Sequence, residues 1–470
     1  MPTTMPKVWE QIGADESMTA YDTLGTFGVL PQNVTVHKGE VLFPRIDMEK
    51  EIDELNSLLT PAKTIREDED LDKANVITID QFAEVKLRSG EITACEKIKK
   101  AKKLLKLFLT QMDRTILDSF SHANIGPRET KAGRLLLEAE KELENAVPNL
   151  SFKYDEDITP DDFALKAIDC AMHSAKPSFA NHKMFKSELG ENYVIASCYN
   201  GLLLGGGAYT LCRLVLGNIA KRAKNIKDFK ERELPYVLDI MARYMDARIK
   251  FEVEESGFFE NNFLAKEGFI HRDRFSGMYG LVGLADCVNI LFEKEGIKGR
   301  FGHDEAANDL GVEIMEIIKE FNLNHKNKYC EGTNGHFLLH AQVGLAEDEN
   351  VTPGTRIPIG EEPEELIDQL NVLKKFHKYF TSGTGDIFPI DMTVHRNPEY
   401  VLDIIKGSFK MDLRYLSFYS SDSDVIRVTG YLVKRSELEK LAGGEAVLQD
   451  TTALGLGAAR NGHILERKVR

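Results

Sequence analysis

From about residue 150 to residues 416–419, the sequence alternates short apolar segments typical of strands with longer segments that have the apolar spacing of helices. The strand pattern at 150–154 is followed by a helix start at Thr159-Pro160-Asp161-Asp162, with proline just inside the helix. No Ser/Gly/Pro linker and no internal repeat interrupts the alternation, which predicts an α/β fold. Strands are predicted at 193–198 and 336–344, and helices at 209–216, 231–254, 306–321 and 361–380.

The N-terminal part of the chain has a different pattern. Residues 1–90 contain an acidic run and short apolar pieces, which predicts an irregular wrapping segment. Residues 91–146 have helical periodicity with a break at Gly126-Pro127. We therefore expect an N-terminal wrapping and helical region at 1–150 and an α/β region at 151–470, which together form one structural domain.

The composition excludes several classes of protein. Sixty lysines and arginines against seventy-five acidic residues give a net charge of −15, which disfavours a nucleic-acid partner. The six cysteines are scattered without a C-x-x-C pair, so neither a disulfide framework nor a metal site is expected. The sequence shows no signal-peptide pattern and no run of about 18 apolar residues. We therefore expect a cytoplasmic protein with no membrane partner.

The segment Asp424-Val-Ile-Arg-Val-Thr-Gly430-Tyr-Leu-Val-Lys-Arg435 places a glycine between two apolar stretches. On local pattern alone it predicts a β-hairpin, with Val425, Ile426 and Val428 in one strand and residues 431–433 in the other. Gly430 then lies in the turn, where a residue without a Cβ is preferred.

A chemical interpretation of the same segment comes from a resemblance. Arg427-Val-Thr-Gly430-Tyr-Leu resembles the R-V-x-G-Y signature near the C terminus of glycyl radical enzymes, in which the glycine Cα carries an unpaired electron. A planar Cα radical needs glycine, because a Cβ would crowd both peptide planes. A second element of that family is a cysteine on a loop that ends a strand, and Cys198, before Tyr199-Asn200-Gly201, fits it.

Two further segments support the resemblance. Pro177-Ser-Phe-Ala-Asn181 resembles the P-x-F-x-N segment upstream of the active cysteine, and Thr352-Pro-Gly-Thr-Arg356 is similar to the T-P-x-G-R loop of pyruvate formate-lyase relatives. Taken together, the motifs most resemble those of the YjjI family of glycyl radical enzymes. The alternative for any single cysteine is a small buried apolar residue, and Cys95, Cys170, Cys212 and Cys287 are interpreted in that way.

The resemblance implies a ten-stranded α/β barrel of two five-stranded halves, with helical N-terminal segments. Cys198 would lie on a finger loop inside the barrel and Gly430 on a C-terminal glycyl radical loop near 424–435, supported by Arg427 and Tyr431. The implied mechanism begins when a radical-SAM activating enzyme removes hydrogen from Gly430. The glycyl radical then takes hydrogen from Cys198, and the thiyl radical abstracts hydrogen from a small-molecule substrate.

The resemblance also sets the expected cofactors and assembly. The protein carries no bound cofactor, because S-adenosylmethionine and the iron–sulfur cluster belong to the activating enzyme. The radical itself is a post-translational change at Gly430 that is sensitive to oxygen, so the protein is expected to work under anaerobic conditions. A homodimer is the family expectation.

The residues around Cys198 narrow the reaction without naming it. Ser197 stands where pyruvate formate-lyase relatives have a second cysteine, which disfavours acyl transfer to a neighbouring thiol. Asn200 stands where diol and choline-type eliminases have a glutamate, and an amide cannot take a proton at neutral pH. Two alternatives stay open: an anaerobic ribonucleotide-reductase-like enzyme, and a catalytically silent barrel that binds a metabolite or acts in interactions.

Four polar residues in segments next to predicted strands are candidate substrate contacts. They follow or precede apolar stretches, as binding residues on loops commonly do. They are Asn181, Asn200, Glu331 and His336.

Overall fold

The computed structural model of the chain describes residues 10–11, 101–115, 121–196, 199–342, 351–447 and 449–470. The chain divides into two compact units, Met1–Lys86 and Leu87–Arg470, and the elements described below belong to the second unit. The wrapping segment predicted for residues 1–90 lies outside the described residues, apart from Glu10 and Gln11.

Strands and helices alternate along the second unit, which confirms the predicted α/β class. The strands are β1 (His122–Ile125), β2 (Asn149–Tyr154), β3 (Ser178–Asn181), β4 (Tyr193–Ala196), β5 (Asn200–Leu203), β6 (Gly207–Val215), β7 (Phe275–Val282), β8 (Leu338–Ala341), β9 (Asp386–Ile390), β10 (Tyr415–Ser420), β11 (Val425–Arg427) and β12 (Leu432–Lys434). The longer helices are α1 (Ala101–Thr115), α2 (Lys131–Leu143), α3 (Asp161–Ser174), α4 (His182–Leu189), α5 (Leu216–Arg222), α6 (Leu234–Glu254), α7 (Leu284–Glu295), α8 (Glu305–Asn324), α9 (Leu366–His377), α10 (Glu399–Lys410), α11 (Arg435–Ala442) and α12 (Asp450–Asn461).

Two larger sheets form the centre of this unit. One has five strands in the order β1-β2-β3-β10-β9, all parallel to their neighbours except at the antiparallel β3–β10 pair. The other has three parallel strands in the order β6-β7-β8. Hydrogen bonds from Ser382 N to Leu339 O and from Ala341 N to Gly383 O, both 3.0 Å, connect β8 to the segment that enters β9. The two sheets therefore meet along this edge.

The ten strands implied by the resemblance are not confirmed. Among the described residues, the two larger sheets contain five and three strands, and the remaining strands form two separate hairpins, β4–β5 and β11–β12. The antiparallel β3–β10 pair marks the line where the direction of the strands reverses. The five-stranded sheet therefore consists of two oppositely directed groups of parallel strands, β1-β2-β3 and β10-β9.

The structure confirms three of the predicted helices and corrects a fourth. The predictions at 231–254, 306–321 and 361–380 correspond to α6, α8 and α9. The helix predicted at 209–216 is wrong, because residues 207–215 form β6, which pairs with β7 along its length. The apolar run is compatible with either structure, and pairing with a neighbour decided it. The break at Gly126-Pro127 follows β1, a strand inside the segment predicted as helical.

The five-stranded sheet has one apolar face and one polar face. On β2, Leu150, Phe152 and Tyr154 belong to an apolar cluster with α3, whereas Asn149, Ser151 and Lys153 point to the other side. The same alternation occurs on β1, β3 and β10. We call the second side the polar face; it comprises His122, Asn124, Asn149, Ser151, Lys153, Ser178, Tyr415 and Ser417.

The β4–β5 hairpin covers the polar face. Asn124 on β1 exchanges two hydrogen bonds with the backbone of Ile195, at 2.7 and 2.9 Å. At the other end of the hairpin, Gly201 N donates to Ser382 O at 2.8 Å, beside the edge where the two sheets meet. The hairpin therefore reaches from the first strand of one sheet to the edge of the other.

None of the described helices is both long and apolar enough to cross a membrane.

We predict that Gly383→Ala will disrupt the contact between residue 383 and Tyr199, which precedes β5 of the β4–β5 hairpin. Gly383 has φ +113°, and a Cβ there would lie 1.9 Å from the carbonyl oxygen of Tyr199. Strain of this kind costs about 3 kcal/mol of the free energy of unfolding, which urea unfolding followed by circular dichroism will measure.

Gly407→Ala is the matched control, because Gly407 lies in α10 and an added Cβ meets nothing within 4 Å. It should stabilise the chain slightly, since alanine has the higher helix propensity. Equal midpoints for the two variants would contradict the close contact at Gly383.

Candidate functional site

The segment around Gly430 forms the predicted hairpin. Strands β11 and β12 are antiparallel, with Val425 opposite Lys434 and Arg427 opposite Leu432. The connection contains Gly430, and Val428 N donates to Tyr431 O at 3.0 Å across it. Gly430 itself is buried. The turn is therefore closed on itself and shielded from solvent.

Asn149 holds the carbonyl group of Gly430. Its Nδ2 donates to Gly430 O at 2.6 Å, across 281 positions of the sequence. Its Oδ1 accepts from Leu150 N at 2.9 Å and from Nη2 of Arg427 at 2.8 Å. Asn149 begins β2 and is completely buried. One side-chain amide thus connects the turn to the polar face and to the arginine of the same hairpin.

Two buried arginines fix the rest of the turn. Arg427 is 0% exposed, and its guanidinium donates to Ala175 O at 3.0 and 3.2 Å. Arg467 donates to Arg427 O at 2.7 Å and to Val428 O at 2.5 Å. Burial lowers the pKa of Arg467. Hydrogen bonds from charged donors are stronger than neutral ones, so the backbone before Gly430 is held at several points.

Tyr431 contributes apolar contact to the same hairpin. It is 7% exposed and belongs to an apolar cluster with Val428, Leu432 and Val433. Thr429 is buried, and its hydroxyl has no hydrogen-bond partner among the described residues. The side chains on both sides of Gly430 are therefore enclosed.

Cys198 and Ser197 lie outside the described residues, but the residues on both sides are described. The β4–β5 register pairs Ala196 with Asn200, so residues 197–199 connect the two strands in the sequence. Tyr199 is 2% exposed, and its hydroxyl donates to Ala341 O at 2.9 Å. The predicted cysteine therefore belongs, by sequence, to the turn of the hairpin that covers the polar face.

Three side chains surround the ring of Tyr199. The rings of His340 and Tyr415 have centroids 5.3 and 5.8 Å away, and the guanidinium carbon of Arg356 is 5.9 Å from the ring centroid. Burial lowers the pKa of His340 to about 4, so the imidazole is neutral at pH 7. Tyr415 belongs to the polar face, so the turn and the polar face share one environment.

Hydrogen bonds connect the hydroxyl groups of the polar face. Ser151 Oγ lies 2.7 Å from the hydroxyl of Tyr415 and 2.9 Å from Nε2 of His122. Ser178 and Ser417 form a second pair at 2.6 Å. A row of polar groups that can exchange protons thus lies under the hairpin.

The candidate substrate contacts have different surroundings. Asn181 caps α4 by accepting from Met184 N and donates to Leu413 O, so its side chain has local structural partners. Asn200 begins β5, and its Oδ1 has no partner among the described residues. Glu331 is exposed and lies 3.9 Å from Arg272. His336 is half-buried beside Asn322 O. Their roles toward substrate stay predictions.

Sequence reasoning missed Asn149, Arg467 and His340. Asn149 precedes an apolar strand, where a polar residue is usually assigned to a loop, and its partners are about 280 positions away. Arg467 lies in a polar segment with no periodicity. His340 lies in an apolar strand, and a buried polar residue inside such a run is the signal that could have identified it.

The other described cysteines have apolar surroundings. Cys170 and Cys287 are buried free thiols, and burial raises the pKa of Cys170 to about 12 and that of Cys287 further above its usual value. Cys212 is half-buried, and burial raises its pKa too. Cys95 lies outside the described residues. No group of metal-ligating side chains is present in the part of the chain that the structure describes.

Several known proteins have sequences similar to that of this chain. A family model described as "Glycyl radical enzyme YjjI-like" matches residues 92–470. A protein of Haemophilus influenzae is 46% identical over 369 residues, which are 78% of this chain and 72% of that protein. The protein YjjI of Escherichia coli is 43% identical, over 78% of this chain and 70% of its own length.

A solved structure supports the fold. The crystal structure of a glycyl radical enzyme from Archaeoglobus fulgidus superposes with a TM-score of 0.62 at 12% identity. The superposition covers 79% of this chain and 62% of that chain, so this chain spans less than two thirds of its length. At this identity the likeness shows a shared fold.

A separate similarity is restricted to a short stretch. A stretch of 105 residues, 22% of this chain, is 43% identical to the methionine–tRNA ligase of Halalkalibacterium halodurans, over 16% of that ligase. This match is too short to place the chain among the ligases.

The family model covers most of the chain and includes the buried turn around Gly430. The two relatives cover a similar share at more than 40% identity. The chain therefore belongs to the YjjI-like family of glycyl radical enzymes.

Proposed function

We propose that this chain is a glycyl radical enzyme in which Gly430 stores the radical and Cys198 delivers it to a small-molecule substrate. Family membership supports the class of enzyme. The observation that carries the assignment of Gly430 is its buried carbonyl, held at 2.6 Å by Asn149, which is itself bonded to Arg427 of the family signature.

The proposed chemistry is a chain of hydrogen-atom transfers. A radical-SAM activating enzyme removes a hydrogen atom from Cα of Gly430 and leaves one unpaired electron on it. The glycyl radical takes a hydrogen atom from the thiol of Cys198, which becomes a thiyl radical. The thiyl radical takes a hydrogen atom from a C–H bond of the substrate, and the thiol returns that atom after the substrate radical has rearranged.

The geometry around Gly430 suits a stored radical. The unpaired electron is delocalised over the neighbouring amide groups only while the backbone is planar at Cα. The bond from Asn149 to Gly430 O restricts rotation of the peptide plane that follows Gly430. The bonds from Arg467 to Arg427 O and Val428 O hold the backbone three and two residues before it. Burial keeps water and oxygen away from the Cα.

The polar face suits a substrate with hydroxyl groups. It offers hydroxyls, an imidazole and an amine, and none of its residues is a carboxylate. Proton transfers that accompany the radical step would therefore fall to groups such as Tyr415, Ser151 and His122. Ser151 lies within hydrogen-bond distance of both Tyr415 and His122. This differs from a site in which a glutamate near the cysteine acts as the base.

The alternatives make different predictions. A catalytically silent barrel would form no radical. A ribonucleotide-reductase-like enzyme, or a glycyl radical enzyme with another reaction, would form one. The superposed solved structures do not choose among reaction classes, because a likeness at 12% identity shows the fold alone. An activating enzyme and a homodimer remain part of the proposal. The short similarity to a tRNA ligase carries no ligase activity to this chain, because it covers 16% of that enzyme.

We predict that anaerobic incubation with a radical-SAM activating enzyme and reductant will give a doublet electron paramagnetic resonance signal. Gly430→Ala should abolish the doublet, because alanine has no second α-hydrogen to couple and its Cβ disfavours the planar radical. Exposure to air should cleave the activated chain at Gly430, which mass spectrometry of the fragments will test.

Gly443→Ala is the control for this measurement. Gly443 follows α11 in the same part of the chain, and an added Cβ there makes only ordinary contacts. Its doublet should match that of the unmodified chain. A doublet that persists in Gly430→Ala would place the radical elsewhere and overturn the assignment.

We predict that Cys198→Ala will keep the glycyl radical and stop hydrogen exchange with substrate. The glycine radical forms without the thiol, whereas abstraction from substrate needs it. The measurement compares the doublet amplitude with solvent deuterium incorporation into candidate substrates, since the thiol exchanges its hydrogen with D₂O. Cys212→Ala is the matched control and should exchange like the unmodified chain. Deuterium incorporation that persists in Cys198→Ala would show that Cys198 does not take part in the mechanism.

We predict that Asn149→Ala will lower the yield or lifetime of the doublet. The substitution removes the donor to Gly430 O and a partner of Arg427, and loss of a buried hydrogen bond costs about 1–3 kcal/mol. Decay of the doublet under anaerobic conditions will be compared with Asn371→Ala, whose side chain contacts a surface lysine. Equal lifetimes in the two variants would show that the carbonyl bond does not matter.

A further inference from the structure

Two buried polar groups beside Tyr199 have no hydrogen-bond partner among the described residues. They are Nδ1 of His340, whose residue is 1% exposed, and Nη2 of Arg356, whose residue is 7% exposed. Both side chains contact the ring of Tyr199, the residue that follows Cys198 in the sequence. Buried polar atoms are nearly always paired, so an unpaired pair at one place indicates a missing partner.

The two groups come from segments that are in contact with each other. Gly354 N donates to Gln342 O at 2.9 Å, and a Cβ on Gly354 would lie 2.6 Å from Cβ of Ala341. The loop that carries Arg356 thus packs against the end of β8, which carries His340. His340 and Arg356 therefore lie on two segments that contact each other, and both side chains contact the same ring, that of Tyr199.

The charge of Arg356 is only partly balanced. Its Nε donates to Gly385 O at 2.8 Å, and the nearest carboxylate oxygen, Oδ1 of Asp386, lies 3.7 Å from Nε. That carboxylate also accepts from Ile387 N and from Nε2 of Gln369. Asp386 is therefore shared among several donors and leaves Nη2 of Arg356 unpaired.

A lysine near the β4–β5 hairpin is also cationic. Lys153 on the polar face donates to Tyr193 O at 2.7 Å, and no carboxylate among the described residues contributes to the pKa of its amine. Burial lowers the pKa of Lys153 to about 8. Because the polar face has a lysine and no carboxylate, its charge is positive, which favours an anion nearby.

We propose that Arg356 and His340 bind a carboxylate on the substrate, beside the ring of Tyr199. The proposal deepens the proposed function by naming the substrate class. A carboxylate has two oxygens, one of which can accept from Nη2 of Arg356 and the other from His340 in the tautomer that carries the proton on Nδ1. A phosphate group commonly takes more donors, often several backbone N–H groups at a helix start.

The test measures binding to the full chain before activation, so no radical is needed. Calorimetric titrations compare lactate with lactamide and propane-1,2-diol, which resemble lactate in size but carry no charge. Lactate should bind saturably and at least about tenfold more tightly than either neutral compound. Equal affinities, or no saturable binding of lactate, would overturn the proposal.

Variants assign the preference to the two residues. Arg356→Gln should remove the preference for lactate over lactamide, and Arg356→Lys should keep part of it because the charge remains. His340→Gln should weaken lactate binding by a smaller factor, about threefold. Arg300→Gln, at an exposed arginine paired with Glu361, is the control and should bind like the unmodified chain.

Two further outcomes decide the proposal. Inorganic phosphate that displaces lactate at lower concentration would assign the site to a phosphate and overturn the carboxylate. Circular dichroism will show whether Arg356→Gln folds. If it does not, the comparison of lactate with lactamide in the unmodified chain still decides whether the site prefers a carboxylate. A failure of this test leaves the doublet experiment unaffected, so the two proposals fail separately.

Discussion

The hydrogen bond between the side chain of Asn149 and the carbonyl of Gly430 connects the parts of the structure on which the site depends. It links the start of β2 to the β11–β12 hairpin, and Arg427 donates to the same asparagine from the hairpin itself. Each group is buried, so loss of one partner would leave the others unpaired in an apolar surrounding. The position of Gly430 is thus determined by a network of mutually dependent bonds.

The polar face explains why the β4–β5 hairpin lies where it does. A buried sheet face with serines, a histidine and a lysine is stable only when these groups find partners. The backbone of the hairpin supplies some of them, because Asn124 and Lys153 bond to Ile195 and Tyr193. The same contacts that satisfy the sheet therefore hold β4 over the polar face.

The sequence predicted the α/β class, the α6, α8 and α9 helices, and the hairpin around Gly430, because each has a local periodicity or a turn residue. It could not predict β6, whose apolar run suits either a helix or a strand. It also could not predict Asn149 or Arg467, because their roles depend on partners that are distant in sequence. The sequence identified Arg356 only as part of the Thr352–Arg356 motif. That its Nη2 has no hydrogen-bond partner among the described residues is evident only from the structure.

The bonds from Arg467 to the carbonyls of Arg427 and Val428 have a kinetic consequence. Gly430 is buried, so another protein can reach its Cα only after the β11–β12 hairpin has moved away from Asn149 and Arg467. That movement breaks the charged bonds from Arg467 and the bond from Asn149 together, as one local unfolding event. Under the proposed function, the rate at which the hairpin opens on its own is then an upper limit on the rate of activation by any enzyme that does not itself promote the opening.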